Sequence, residues 1–292
     1  MIRSKGEKTF DAFNVVFMVI LAVIFVYPAL LIVCASFTSA DAITKYGYSV
    51  LIREFSLSSY HFIFQTQGLF FTSLKNSVII AASGTASVVV TGALFAYAIS
   101  RKQLLFKKFF VMYLVITLLF SGGTISHYMN IDSLGLMNTR LAIILPSAVN
   151  AWYIILMRNF FENIPAGLCE SAQLEGAGNA TILFKIIIPL SFPIIATIIL
   201  FSSVDLWNNW IGAQLFIDRA HEHLWPIQAL VRQLETDFKS IVSSIGGGTS
   251  LGLNSEGIKA AAVVVSTLPI VILYPFLQRF FISGMLVGGV KE

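Results

Sequence analysis

Six stretches of this chain are long and apolar enough to cross a bilayer as helices, and no other property restricts its fold as strongly. A spanning helix needs about 20 mostly apolar residues. Residues 13–37, 77–100, 109–126, 141–161, 193–212 and 259–281 meet that requirement. None alternates with the period of two expected of a barrel strand. The expected fold class is therefore all-α, a polytopic membrane protein with six transmembrane helices and a single membrane domain over 1–292. Only 12% of the residues are charged, against about 25% in a soluble domain, so the bilayer must be the solvent for most of the chain. Pro28, Pro146, Pro193, Pro269 and Pro275 lie in or beside these stretches, which places the expected kinks there.

The basic residues orient the spans. Arg3, Lys5 and Lys8 precede the first, and Arg101, Lys102, Lys107 and Lys108 fill the second connection without an acid among them. By the excess of Lys and Arg in cytoplasmic connections, both termini and the even connections belong inside. The first apolar run is longer than the core of a secretory signal, and no small-residue cleavage pattern follows it, so it reads as a retained helix. Cys34 and Cys169 form neither a disulfide framework nor a zinc spacing.

This orientation puts the fourth connection, 162–193, in the cytoplasm. It contains Glu170-Ser171-Ala172-Gln173-Leu174-Glu175-Gly176-Ala177. Pro165 suits a first helical turn, Gly176 suits a helix end, Asn179 is positioned to cap a second helix, and Pro189 and Pro193 mark the return to the membrane. Small residues along one flank would let another surface approach closely. The residues alone leave two readings open: a helix that docks on a cytoplasmic partner, or one that lies among the headgroups.

Glu170-Ser171-Ala172, three residues, Gly176, nine residues, then Ile186-Ile187-Ile188-Pro189 resembles the EAA motif of binding-protein-dependent ABC importer permeases. That pattern is Glu-Ala-Ala, three residues, Gly, nine residues, Ile, any residue, Leu-Pro. Ser171 and Ile188 are its two departures. Met157-Arg158-Asn159-Phe160-Phe161 with Ile164-Pro165, Gly122-Gly123 before Leu134-Gly135-Leu136, and Phe281-Ile282-Ser283-Gly284-Met285 are similar to the carbohydrate-uptake, maltose-permease-like branch. The nearest likeness is to importers of oligosaccharides from complex polysaccharides.

The resemblance implies a type I ABC importer permease fold in the cell membrane. It implies a coupling helix in which Glu170, Ser171, Ala172, Glu175, Gly176, Ala177 and Pro189 serve contact with a cytoplasmic ATPase. The implied partners are two ATPase subunits, a second related permease, an extracellular binding protein and an oligosaccharide substrate, with no nucleic acid. The extracellular loop 213–258 would meet the binding protein. The chain has no Gly-x-x-x-x-Gly-Lys-Ser/Thr loop, and Gly246-Gly247-Gly248-Thr249 lacks the lysine. ATP and Mg are thus expected on the ATPase, with no cofactor and no catalytic residue in this chain.

Polar groups at membrane depth are expensive and should face a cavity or a partner helix. The candidates for a substrate pathway are Asp205, Trp207, Asn208, Asn209 and Trp210 in span five, with Asn150, Trp152 and Tyr153 in span four. Amides and carboxylates hydrogen-bond sugars, and aromatic faces stack on them. The alternative makes the tryptophans an interfacial belt and Asn150 a helix–helix hydrogen bond. His221-Glu222-His223 is a weak metal spacing and reads as a solvated loop. An ion-coupled transporter or gated channel is the competing function, although no internal repeat supports it.

Overall fold

The computed structural model describes residues 5–65, 68–236, 238 and 255–289. Arg3, Gly246 to Thr249, most of the distal half of loop 213–258 and the terminal Lys291-Glu292 lie outside the described residues. The chain divides into two compact units, Met1–Phe70 with Gln233–Leu268 and Phe71–Arg232 with Pro269–Glu292.

The first unit contains α1 (Lys5–Ser36), α2 (Ala40–Tyr46) and α3 (Ser58–Gln65). The span in α1, Phe10–Ser36, is continuous through Pro28. After it, Ser39 caps α2 by accepting a hydrogen bond from Ala42 N, and the chain returns to pair Thr38 with Phe55. The Tyr48 hydroxyl donates to Glu256 Oε2 at 2.6 Å. Burial, and then this carboxylate neighbour, push the phenol up to about 12.

The second unit holds α4 (Leu69–Ser100, whose first two residues belong to the first unit), α5 (Lys107–Leu119), α6 (Gly123–Ser133), α7 (Leu141–Ser147) and α8 (Ala151–Glu162). It continues with α9 (Ala166–Leu174), α10 (Asn179–Ile182), a π-helical turn Leu183–Ile187, α11 (Ile188–Leu190), α12 (Phe192–Trp207) and α13 (Trp210–Phe216). A 3-10 turn, Arg219–Leu224, leads to α14 (Ile227–Thr236), and α15 (Ser255–Gly289) ends the described chain. Both α14 and α15 contribute residues to each unit.

Three helices are long enough to span alone, and three bent pairs complete a set of up to six spans. The bends are 114° between α5 and α6, 41° between α7 and α8, and 80° between residues 179–190 and α12. Two of the three bends lie beside prolines, as expected: Pro146 is inside α7, and Pro193 stands in the first turn of α12. The helices α1 and α15 continue through Pro28, Pro269 and Pro275. The breaks themselves fall at Ser121-Gly122, at Asn150, whose side chain caps α8, and at Ser191. At the α7–α8 break, Thr91 Oγ1 of α4 donates to the freed carbonyl of Ala148, which meets the requirement that no polar backbone group be left unpaired in lipid.

Close packing of the spans relies on two glycines of α4. A Cβ on Gly84 would lie 2.6 Å from Leu206 Cδ1, and one on Gly92 would lie 2.9 Å from Met157 Cε. Their absence brings α12 and α8 against α4, the small-residue packing that membrane helices use in place of a hydrophobic driving force. On α8, Tyr153, Ile154, Met157 and Phe161 are buried, a stripe with the 3.6-residue period.

One end of this unit is held by Asn76, which is fully buried. Its Nδ2 donates to the carbonyls of His223 and Trp225 at 2.8 and 3.1 Å. Its Oδ1 accepts from Arg140 Nε and Nη2 at 3.1 and 2.8 Å. Nearby, His221 Nδ1 lies 2.7 Å from Asp218 Oδ1 and holds that carboxyl below its usual range. His221 and His223 therefore sit in a 3-10 turn; among the described residues no cluster of His, Cys, Asp and Glu could hold a metal ion.

Candidate functional site

Two places in the second unit gather the polar residues: a cavity between the broken spans and the loop between α8 and α12. The cavity encloses about 520 Å³. Its wall is assembled from the broken spans, with Thr124 and His127 on α6, Pro146 and Ser147 on α7, Asn150 at the α7–α8 break, Tyr153 on α8, Ser202 and Asp205 on α12, and Asn209 at the break before α13.

The two asparagines show why the helices break here. Asn150 Oδ1 accepts from Trp152 N and Tyr153 N at 3.0 and 3.2 Å. Asn209 Oδ1 accepts from Gly212 N at 2.9 Å. Each caps the helix that follows. Because the carbonyl oxygens are committed to backbone, the two amide NH2 groups are the ends left to act as donors. Tyr153 donates its hydroxyl to Asp205 Oδ2, joining the two halves of the wall and leaving Oδ1 as an acceptor.

Of the eight pathway candidates, four line this cavity: Asn150, Tyr153, Asp205 and Asn209. The other four lie elsewhere. Trp207 is buried and borders a separate apolar groove with Ala81, Thr85 and Pro269. Asn208 Oδ1 accepts from Gln228 Nε2 at 3.3 Å. Trp210 stacks beneath the Arg232 guanidinium, 5.1 Å from its ring centroid. Trp152 is 54% exposed and is absent from the lining. Sequence reasoning missed His127, Thr124 and Ser121, whose one signal was the Ser121-Gly122-Gly123 break that turns α6 through 114°.

The loop is built around a glycine turn. α9 starts directly after Pro165 and ends at Leu174. Gly176 has φ +84°, Ala177 N donates to Ala172 O at 2.9 Å, and Gly176 N donates to Gln173 O at 3.0 Å. This pair of bonds is the Schellman arrangement, which needs a left-handed residue at its centre. Cys169 is buried, and Ala172 and Ala177 are half-buried against the same core. These two alanines thus face inward. Glu170, Ser171, Gln173, Leu174, Glu175 and Gly176 form the exposed side, with Leu174 at 91% exposure.

Asn179 does not cap the next helix. Gly178 holds that position without a side-chain bond, and Asn179 Oδ1 accepts from the Tyr97 hydroxyl at 3.3 Å. Beyond it, Pro189 follows the π turn, where Ile188 N reaches back to Leu183 O.

The loop is not a loose appendage. Cys169, Ile182, Leu183 and Ile187 belong to one packed cluster with Tyr97 of α4, Ile154 and Met157 of α8, and Ile198 of α12. Tyr153 and Val88, which line the cavity, are in that cluster too. At the end of α8, Glu162 receives Lys107 Nζ at 2.7 Å and Arg158 Nη2 at 2.9 Å, tying the basic α4–α5 connection to the base of the loop.

The family model for the binding-protein-dependent transport system inner membrane component matches residues 108–287. The polygalacturonan/rhamnogalacturonan transport system permease protein YtcP of Bacillus subtilis (strain 168) is 37% identical, over 98% of this chain and 99% of its own length. Protein LplC of the same organism is 34% identical, over 100% and 98%. The crystal structure of a bacterial ABC transporter involved in the import of the acidic polysaccharide alginate contains a chain that superimposes with a TM-score of 0.87 at 30% identity, covering 96% of this chain and 99% of that one. With the broken spans, the polar cavity and the exposed loop helix, these matches mean that the chain belongs to the family of inner membrane components of binding-protein-dependent transport systems.

Proposed function

We propose that this chain supplies half of the translocation pathway of an ATP-driven oligosaccharide importer, with the cavity around Asp205 as its part of the route. A second, related permease completes the pathway, an extracellular binding protein delivers the sugar, and two cytoplasmic ATPase subunits hydrolyse ATP. The termini and the α8–α12 loop lie in the cytoplasm, on the side of Arg101, Lys102, Lys107 and Lys108. The exposed side of α9 docks on an ATPase, with Glu170 meeting a basic group and Leu174 an apolar one.

One observation carries the reading: a single packed cluster contains both Cys169 of the loop helix and Tyr153 of the cavity wall. Interiors this dense transmit displacement rather than absorb it. A push on α9 therefore has a physical route to the cavity through side chains that touch. The names of the similar proteins, one for polygalacturonan/rhamnogalacturonan transport and one for import of the polysaccharide alginate, support a saccharide cargo.

The test is Leu174→Asp. The side chain is exposed in this chain, so the variant is expected to insert in the membrane at the normal level yet lose co-purification of the ATPase. Retained co-purification together with normal sugar-stimulated ATP hydrolysis would refute the docking face.

A further inference from the structure

Among the described residues, Asp205 is the only acid in the cavity lining, no lysine or arginine is present, and His127 is the only other titratable side chain apart from Tyr153. Two basic side chains of the same unit that are absent from the lining are engaged elsewhere, Arg140 on Asn76 and Arg232 over Trp210. What the wall offers instead is neutral. The amide donors of Asn150 and Asn209 are left free by their caps. The hydroxyls of Ser147 and Ser202 donate to the carbonyls of Ile143 and Ile198 at 3.1 and 2.6 Å and so present acceptor lone pairs.

Such a wall matches sugar hydroxyls, which both donate and accept. Among its described residues it offers neutral donors but no lysine or arginine to a carboxylate, which accepts only and is held most strongly by charge-assisted bonds. A uronate passing here would also meet Asp205, and like charges brought together at a recognition surface act as a selection against the wrong cargo.

We infer that the cargo is an uncharged, hydroxyl-rich oligosaccharide and that Asp205 discriminates against uronate oligomers, in contrast to the uronate-containing polysaccharides named for both YtcP and the alginate importer. This rests on the importer reading above. The experiment uses the complete complex in vesicles, with the second permease, the ATPases and the binding protein. Uptake is measured for neutral pentasaccharides (malto-, xylo-, arabino- and galacto-oligomers) and for oligogalacturonate and oligoalginate of the same length. Each rate is normalised to the binding protein's affinity for that sugar.

The expected result is normalised uptake of at least one neutral oligomer about tenfold or more above either uronate, equivalent to about 1.4 kcal/mol. Asp205→Asn should raise the uronate-to-neutral ratio severalfold. Thr124→Lys, which adds a cation to the same wall, should raise it as well and keeps the test decisive if the first variant fails to assemble. Uronate uptake equal to or above neutral uptake in the unmodified complex, or a ratio unmoved in every variant that assembles, overturns the inference. If no oligosaccharide of either kind is transported, the importer reading itself falls.

Discussion

Replacing Gly176 separates what the loop needs from what its partner needs. Among the described residues, no heavy atom other than those of Gly176 and its chain neighbours lies within 4 Å of a Cβ built on Gly176, yet its φ is +84°. A side chain there has room, so the cost within the chain is conformational: about 1–2 kcal/mol for an ordinary residue in left-handed backbone, and less for Asn, which tolerates that region. Against the two bonds of the Schellman turn, at 2.9 and 3.0 Å, a penalty of that size changes the occupancy of the closed turn by about 5- to 30-fold.

The series Asn, Ala, Leu then makes an ordered prediction. Gly176→Asn is expected to be mild and Gly176→Ala intermediate. Gly176→Leu carries the same backbone cost as Ala, so any further loss must come from a surface outside this chain. The assay pairs ATPase co-purification with limited proteolysis of the 166–182 segment in the isolated chain. Leu and Ala should be cleaved alike, while Leu alone should lose the ATPase. If Leu and Ala capture the ATPase equally, no partner approaches Gly176 closely, and the docking geometry proposed for α9 is wrong.

Asn209 serves as both cap and donor, and two variants divide these roles: Asn209→Asp keeps the cap to Gly212 N and should preserve thermal stability in detergent while changing uptake, whereas Asn209→Ala should also lose about 1 kcal/mol. Equal melting of the two would remove the cap from the account. Gly84→Ala should destabilise by about 1–3 kcal/mol through overpacking, because the added Cβ would lie 2.6 Å from Cδ1 of the buried Leu206. Gly92→Ala should cost less, since its neighbour is the flexible end of Met157, and denaturant titration of the pair reads the order. For Tyr48, a folded value pushed up to about 12 against about 10 unfolded means its contribution is complete below pH 10 and is lost as pH rises through 12. The difference spectrum between the parent and Tyr48→Phe should therefore show a phenol that stays protonated above pH 10, and ionisation at pH 10 would contradict the contact with Glu256.

How much of this was legible beforehand depends on what a one-dimensional pattern can encode. Length and apolarity were enough for six spans, because a bilayer demands both. Proline marked two of the three breaks, through Pro146 and Pro193, but α1 and α15 continue through theirs, because neighbouring helices and small local adjustments can repair the freed backbone groups. Asn and Gly mark the breaks more directly because they supply a cap or a permitted backbone. Within span five, the run from Asp205 to Trp210 could not act as one surface. Successive helical residues turn by about 100°, so Trp207 stands about 200° from Asp205, and the wall that holds one excludes the other. Which of the two faces the cavity is decided by where α4 packs, and that follows from Gly84 contacting Leu206, a tertiary fact with no signature in span five itself.

The loop teaches the converse. Its small residues suggested a flank that a partner could approach, and the spacing of Ala172, Gly176 and Ala177 has a cause inside the chain. In a Schellman turn the residue after the left-handed glycine bonds back five positions, here Ala177 to Ala172, and both alanines rest on the shared core. Larger side chains at either place would lift α9 from the cluster that includes Tyr153. Smallness there sets how firmly the loop is seated, while the exposed Glu170 and Leu174 set what it can grip. Transmission needs both: a face that binds without a seated base would move alone, and a seated base without a face would receive no force.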